Sequence, residues 1–367
     1  MPMNLPRQPS HRSTRLATHL SPLITAIAFA GAASAAGGAT GPGTQITWDT
    51  PTFDRWNYPF NITPGSRAQA PTFSPAGLPA EFDQRDGQFV ITFQTDDDIE
   101  PDLHRGQYTI TSAVITATLG SNAAIVFDPT MDSFETFTTI ADDDPGRAMI
   151  LAGTAFRNGL TAETYGETGA YGPAGVDVRF AYAATYDNSG ALVDISNNIR
   201  DAFDPAPFAV GQAETGAGDP IAPGAAVPPS AVYVFTIDIS DDDIQCYLKT
   251  ALRDGYASFT VTSLHPTSMP PVGPAAVGAV DYPQWRTKED LEVVFGLATA
   301  TSFQITVDVV PTETFEPADV NTTNGVNIDD ILAVINAFGA ACNCCSEDAN
   351  DSGQVNIDDL LLVVNGF

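Results

Sequence analysis

Lysine is almost missing from this 367-residue chain, where only Lys249 and Lys288 occur, and lysine and arginine together number 15 against 45 acidic residues. The formal net charge is −30. A field of that sign repels phosphates and anionic headgroups, so neither nucleic acid nor an acidic membrane surface is an expected partner. Catalytic motifs are missing too: there is no Gly-x-Ser-x-Gly elbow, no phosphate-cradling glycine loop and no His-Glu-x-x-His pair. Glycoside hydrolysis needs two carboxylates at a set separation, and among 45 acidic residues no pair stands out. These absences favour a non-catalytic protein over an enzyme. No run approaches about eighteen apolar residues, which excludes an ordinary membrane-spanning helix. Cysteine is scarce, with Cys246, Cys342, Cys344 and Cys345 alone. Beyond residue 35 only His104 and His265 remain, neither in ligand spacing, so disulfides or structural thiols are expected rather than zinc. Four cysteines allow three pairings, among them a local Cys342–Cys345 bridge.

What is present begins with a leader. Arg7, Arg12 and Arg15 precede an apolar stretch at 20–33 that ends in Ala33-Ser34-Ala35, the pattern of a secretory signal. The expected division is a signal peptide at 1–35, a β-sandwich at 36–310, a linker at 311–317 and a small helical module at 318–367. The product is expected to be extracellular or cell-surface, with no membrane insertion after cleavage.

The middle reads as β structure. Segments 88–94, 108–119, 176–182, 231–239, 257–262 and 302–309 alternate or run apolar with β-branched residues, separated by Pro, Gly and Asp clusters. This predicts a mainly β fold, a large jelly-roll-like sandwich with long insertions. One helix interrupts it: Ile244, Tyr247, Leu248, Ala251 and Leu252 share a face, Ser240 is the expected cap, and Asp241, Asp242 and Asp243 complement the dipole. Other acidic runs at 96–98 and 142–144 read as caps or solvated loops, with Asp96, Asp98, Glu100 and Asp102 a candidate metal group. Trp48, Trp56, Trp285 and Tyr58 are candidates for stacking on sugar rings.

The chain's clearest chemical signal is a duplication. Segments 319–338 and 348–367 lie twenty-nine positions apart and are identical at eleven of twenty aligned positions. A calcium loop needs oxygen ligands at positions 1, 3, 5, 7, 9 and 12, the seventh through its backbone carbonyl. The first copy offers Asp319, Asn321, Thr323, the carbonyl of Gly325, Asn327 and Asp330. The second offers Asp348, Asn350, Ser352, the carbonyl of Gln354, Asn356 and Asp359. Thr or Ser at position 5 lowers ligand charge, and Asp at position 12 is shorter than the usual bidentate Glu. Position 6 is Gly353 in the second loop and Asn324 in the first, which marks the first as the weaker site. Behind the loops, Ile328, Ile331, Leu332, Ile335 and Phe338 are echoed by Ile357, Leu360, Leu361, Val364 and Phe367. Each set is one face of a helix, and the two faces are expected to pack together.

Residues 319–367 resemble the type I dockerin family: two Asp-x-Asn loops, each followed by Val-Asn-Ile-Asp-Asp and an aliphatic helix. The wording is most similar to the dockerin subset of planctomycete-like bacteria that ends in Gly-Cys, where this chain has Gly366-Phe367. The resemblance implies two structural Ca2+ ions and docking onto a cohesin-like receptor, often in a polysaccharide-degrading system. The middle resembles the DNRLRE-type carbohydrate-binding sandwiches in segments 85–93, 110–119, 238–240 and 282–289, which implies a polysaccharide ligand. The expected function is a secreted non-catalytic sandwich anchored through its calcium repeat. The alternatives are a polysaccharide-acting hydrolase bearing the same repeat and an adhesion protein with no glycan ligand.

Overall fold

Strict alternation along Ser302–Val309, where every second side chain is buried, produces a strand with one face in the core and one toward water. The computed structural model describes residues 43–74, 86–120, 125–131, 146–173, 179–187, 190–196, 206–265, 282–322, 325–340, 342 and 344–367. The segment 1–35 read as a signal peptide, the acidic run 142–144 and part of segment 176–182 lie outside them.

Among the described residues the fold is mainly β. The strands are β1 (Thr44–Trp48), β2 (Phe53–Asn57), β3 (Gln69–Pro71), β4 (Gln88–Gln94), β5 (Tyr108–Thr118), β6 (Met149–Phe156) and β7 (Ala181–Tyr186). They continue with β8 (Leu192–Asp194), β9 (Ala209–Val210), β10 (Gln212–Glu214), β11 (Val232–Thr236), β12 (Tyr256–Ser263), β13 (Gln284–Arg286) and β14 (Ser302–Val309). One sheet runs β1-β14-β5-β11-β10, a second runs β2-β4-β12-β6-β7-β8 with β9 also on β6, and β13 pairs with β3. Every pairing is antiparallel.

The two large sheets share one core. Phe89, Ile91 and Phe93 of β4 and Phe259 and Val261 of β12 meet Ile115 of β5 and Phe303, Ile305 and Val307 of β14. The Phe303 ring centroid lies 5.6 Å from that of Phe93 and 5.2 Å from that of Phe259, so aromatic contacts bridge the sheets. The arrangement is consistent with a sandwich.

The second sheet is buried on both faces, which explains its weaker alternation. On the face away from the main core, Thr92 pairs with Ser258 at 2.8 Å and Thr154 with Thr260 at 2.7 Å, so neighbouring strands satisfy each other's hydroxyls. Helix α1 (Asp242–Arg253) packs on this sheet. Its Tyr247 hydroxyl accepts from the Thr154 N–H at 2.8 Å, and Ile244, Leu248 and Leu252 join the core. The cap of α1 is Asp241 rather than Ser240: its carboxylate accepts from the N–H groups of Asp243 at 2.9 Å and Ile244 at 3.1 Å. Ser240 instead donates its hydroxyl to Asp238 at 2.6 Å. Gly255, at φ +77°, turns the chain out of the helix into β12.

The aromatic candidates serve packing. Trp285 is fully buried and donates its indole N–H to Thr72 at 3.0 Å, while Trp56 is buried and stacks on Tyr58 at 4.3 Å. Trp48 is half-buried against Phe303 and donates to Asp98 at 2.9 Å. The run 95–99 forms a turn in which Thr95 O accepts from the N–H groups of Asp98 and Ile99. No metal-like convergence of Asp96, Asp98, Glu100 and Asp102 is found among the described residues.

Candidate functional site

The duplicated C-terminal segments fold into two matching loop–helix units. Helices α2 (Ile328–Ala337) and α3 (Ile357–Gly366) each begin at an Asn, Asn327 and Asn356, whose side-chain oxygen accepts from the N–H two residues on. Each helix is closed by a capping box whose other half is the aspartate at loop position 12.

Those aspartates organise the loops. Asp330 is completely buried and accepts from the Asn327 N–H at 2.8 Å and the Asn321 N–H at 3.1 Å. Asp359, equally buried, accepts from the Asn356 N–H at 2.8 Å and the Asn350 N–H at 3.0 Å. A carboxylate so placed ties the helix start to the loop start. The first-position aspartates do related work: Asp319 accepts from the Gly325 N–H at 3.2 Å, and Asp348 from the Ser352 N–H at 2.8 Å and the Gly353 N–H at 2.6 Å. Gly353 adopts φ +89°, the left-handed turn that position 6 requires. Asn324 and Thr323 lie outside the described residues.

The donor set suits calcium. Each loop gathers two aspartates and oxygen-bearing neighbours, with no nitrogen or sulfur ligand, as a hard cation demands. Asp319, Asn321, the Gly325 carbonyl and Asp330 would hold one ion, and Asp348, Asn350, Ser352, the Gln354 carbonyl and Asp359 the other. Asn327 and Asn356 give their amide oxygens to the helix caps, and position 9 often reaches calcium through a water. The Gly325 and Gln354 carbonyls accept from the Nδ2 groups of Asn327 at 2.9 Å and Asn356 at 3.0 Å, which orients these oxygens.

The helices do not meet through the apolar stripe read from the sequence. Val334 and Val363, equivalent in the repeat, are the fully buried side chains between them, with Ala318, Val320, Ala349 and Val355 completing a small core. Ile331 and Leu360 are partly buried against it. Ile328, Leu332, Ile335 and Phe338 face outward, as do Ile357, Leu361, Val364 and Phe367, at 48–71 % exposure. A stripe at the right period identifies a helix but not which of two apolar sectors turns inward; the loops decide that by anchoring Asp330 and Asp359. Eight large apolar side chains are thus exposed, four at equivalent positions in each copy of the repeat.

The repeat is also fastened to the sandwich. Cys246 of α1 is disulfide-bonded to Cys344, and Cys342 to Cys345 in the spacer between the loops. Arg105 lies on a turn whose cap is His104, with His104 Nδ1 accepting from the Gly106 N–H at 3.0 Å. The Arg105 guanidinium pairs with Asp351 and lies 3.9 Å from Asp348, while Arg253 of α1 reaches Asp351 at 3.1 Å. Phe315, in the segment read as a linker, packs on the His104 ring with centroids 5.0 Å apart. Sequence reasoning missed this joint because Arg105 and Asp351 are 246 residues apart.

No family model, no curated protein and no solved structure matches this chain.

Proposed function

We propose that the chain is an exported, non-catalytic β-sandwich protein held to a cohesin-like receptor by a calcium-binding, dockerin-like repeat, with polysaccharide as the candidate ligand of the sandwich. The observation that carries this reading is the pair of matched apolar sets on α2 and α3. Large aliphatic and aromatic side chains left outside a small core, in two equivalent copies, are what a protein-docking face requires. Calcium in the loops would fix the starts of both helices and hence the spacing of the two sets. The two disulfides suit an oxidising compartment, as the leader does. Among the described residues no helix is long and apolar enough to cross a membrane.

The test is calcium addition to the chelator-treated full chain, read by hydrogen exchange. Slower exchange across 319–337 and 348–366 is expected. Unchanged exchange there, with no calcium bound at those loops, would sink the proposal. A pull-down with the same protein, with and without calcium, identifies the receptor.

A further inference from the structure

Asp54 is the second residue of β2 and is 1 % exposed, yet its Oδ1 has no hydrogen-bond partner. Its Oδ2 accepts from the Lys288 N–H at 2.9 Å. Two other carboxylates share the condition: Oε1 of Glu167 and Oε2 of Glu289 are buried and unpartnered. One carboxylate oxygen from each of the three lies within 4.8 Å of the others. Among the described residues no other acidic, histidine or cysteine side chains converge in this way.

The surroundings hold these groups in place. Arg55 donates to the backbone carbonyls of Glu167 at 3.2 Å and Gly169 at 2.7 Å, and its guanidinium stands 4.6 Å from the centre of the Tyr165 ring. Gly65 leaves room for Glu167, since a Cβ there would stand 2.6 Å from the Glu167 Cγ. Lys288 Nζ pairs with Glu167 and donates to the Thr52 carbonyl, both at 2.5 Å. Lys288 thus pairs with one of the three carboxylates, and the other cation beside them is the guanidinium of Arg55 on the Glu167 backbone. Burial above all, then Glu289 and Glu167, pushes the Asp54 carboxyl well above the usual carboxylate range, and burial followed by Glu167 raises that of Glu289.

We propose that Asp54, Glu167 and Glu289 form a divalent-cation site in the sandwich that takes Ca2+, distinct from the C-terminal loops. Oxygens on opposite sides of one Ca2+ are about 5 Å apart at ordinary bond lengths, so the observed cluster fits a single ion. An all-carboxylate donor set selects a hard cation, and calcium's tolerance of irregular geometry suits ligands from three separate segments. The ion would pin β2, the turn after Tyr165 and the loop after β13 to one another. This inference stands or falls independently of calcium binding by the repeat.

The full chain, freed of metal by chelation, is tested by bound-ion counting after dialysis and by hydrogen exchange with Ca2+ or Mg2+. With calcium, segments 52–57, 163–169 and 284–290 become protected, and E167Q/E289Q binds one fewer ion per chain while the loops keep their protection. An unchanged ion count in the variant overturns the proposal. So does a wild-type chain in which neither cation slows exchange in these three segments, a measurement that needs no variant to fold. A variant more stable than wild type in chelator with no ion lost would identify a proton-sharing cluster instead, and also overturns it.

Discussion

At the scale of single residues, two buried groups set measurable dependences. His265 is almost fully buried beside Ser263, whose Oγ lies 3.0 Å from its Nδ1. Burial, and then the charge of Arg147, lowers its pKa from 6.5 to about 3. The unfolded chain therefore binds this proton first as pH falls. The stability contributed by neutral His265 is complete above pH 6.5 and is lost progressively as pH drops toward about 3. Denaturant melts across that window should show the loss, and His265→Gln should flatten it. Asp351 is the second case. It neutralises Arg105 and Arg253 at once, and Arg105 is buried. Asp351→Ala is expected to cost about 3 kcal/mol, the low end for breaking a buried pair, because the Arg105 guanidinium loses its nearer counter-charge and keeps Asp348 at 3.9 Å. Hydrogen exchange should locate the loss at the joint between the repeat and α1.

At the scale of elements, the two sides of α2 and α3 predict opposite outcomes. Val334→Ala together with Val363→Ala removes methyl groups from the small core of the repeat, and each should destabilise it by roughly 1–2 kcal/mol. Leu332→Asp with Leu361→Asp changes outward residues, so thermal melting should shift little, while the proposed docking predicts that calcium-dependent capture by a receptor falls. The sequence announced both helices through their apolar period, β14 through alternation, and β4 and β12 through apolar runs with β-branched residues. It did not announce β6, whose Met149-Ile-Leu-Ala-Gly-Thr-Ala-Phe156 is buried on both faces and so lacks alternation. Nor did it announce β2, where Asp54 and Arg55 interrupt an apolar pattern because they are bound into polar networks. The loop aspartates were legible because their spacing pattern lies within one short segment. The Asp54–Glu167–Glu289 cluster was not, since its members meet only when distant segments fold together.

At the scale of the molecule, the Cys246–Cys344 bond closes a loop across 98 residues. Loop-closure arguments assign such a link about 4–5 kcal/mol. The serine pair C246S/C344S should therefore lower the melting temperature, and protease should cut near 311–317 sooner than in the parent chain. Segment 311–317 is thus not the sole connection between the sandwich and the repeat. If a receptor holds the exposed faces of α2 and α3 while the sandwich is pulled by its ligand, tension runs through the Cys246–Cys344 bond and the Arg105–Asp351–Arg253 contacts into the packed side of α1. The repeat would then behave as a rigid bracket, transmitting load to the sheet under α1, and not as a grip on a flexible tether.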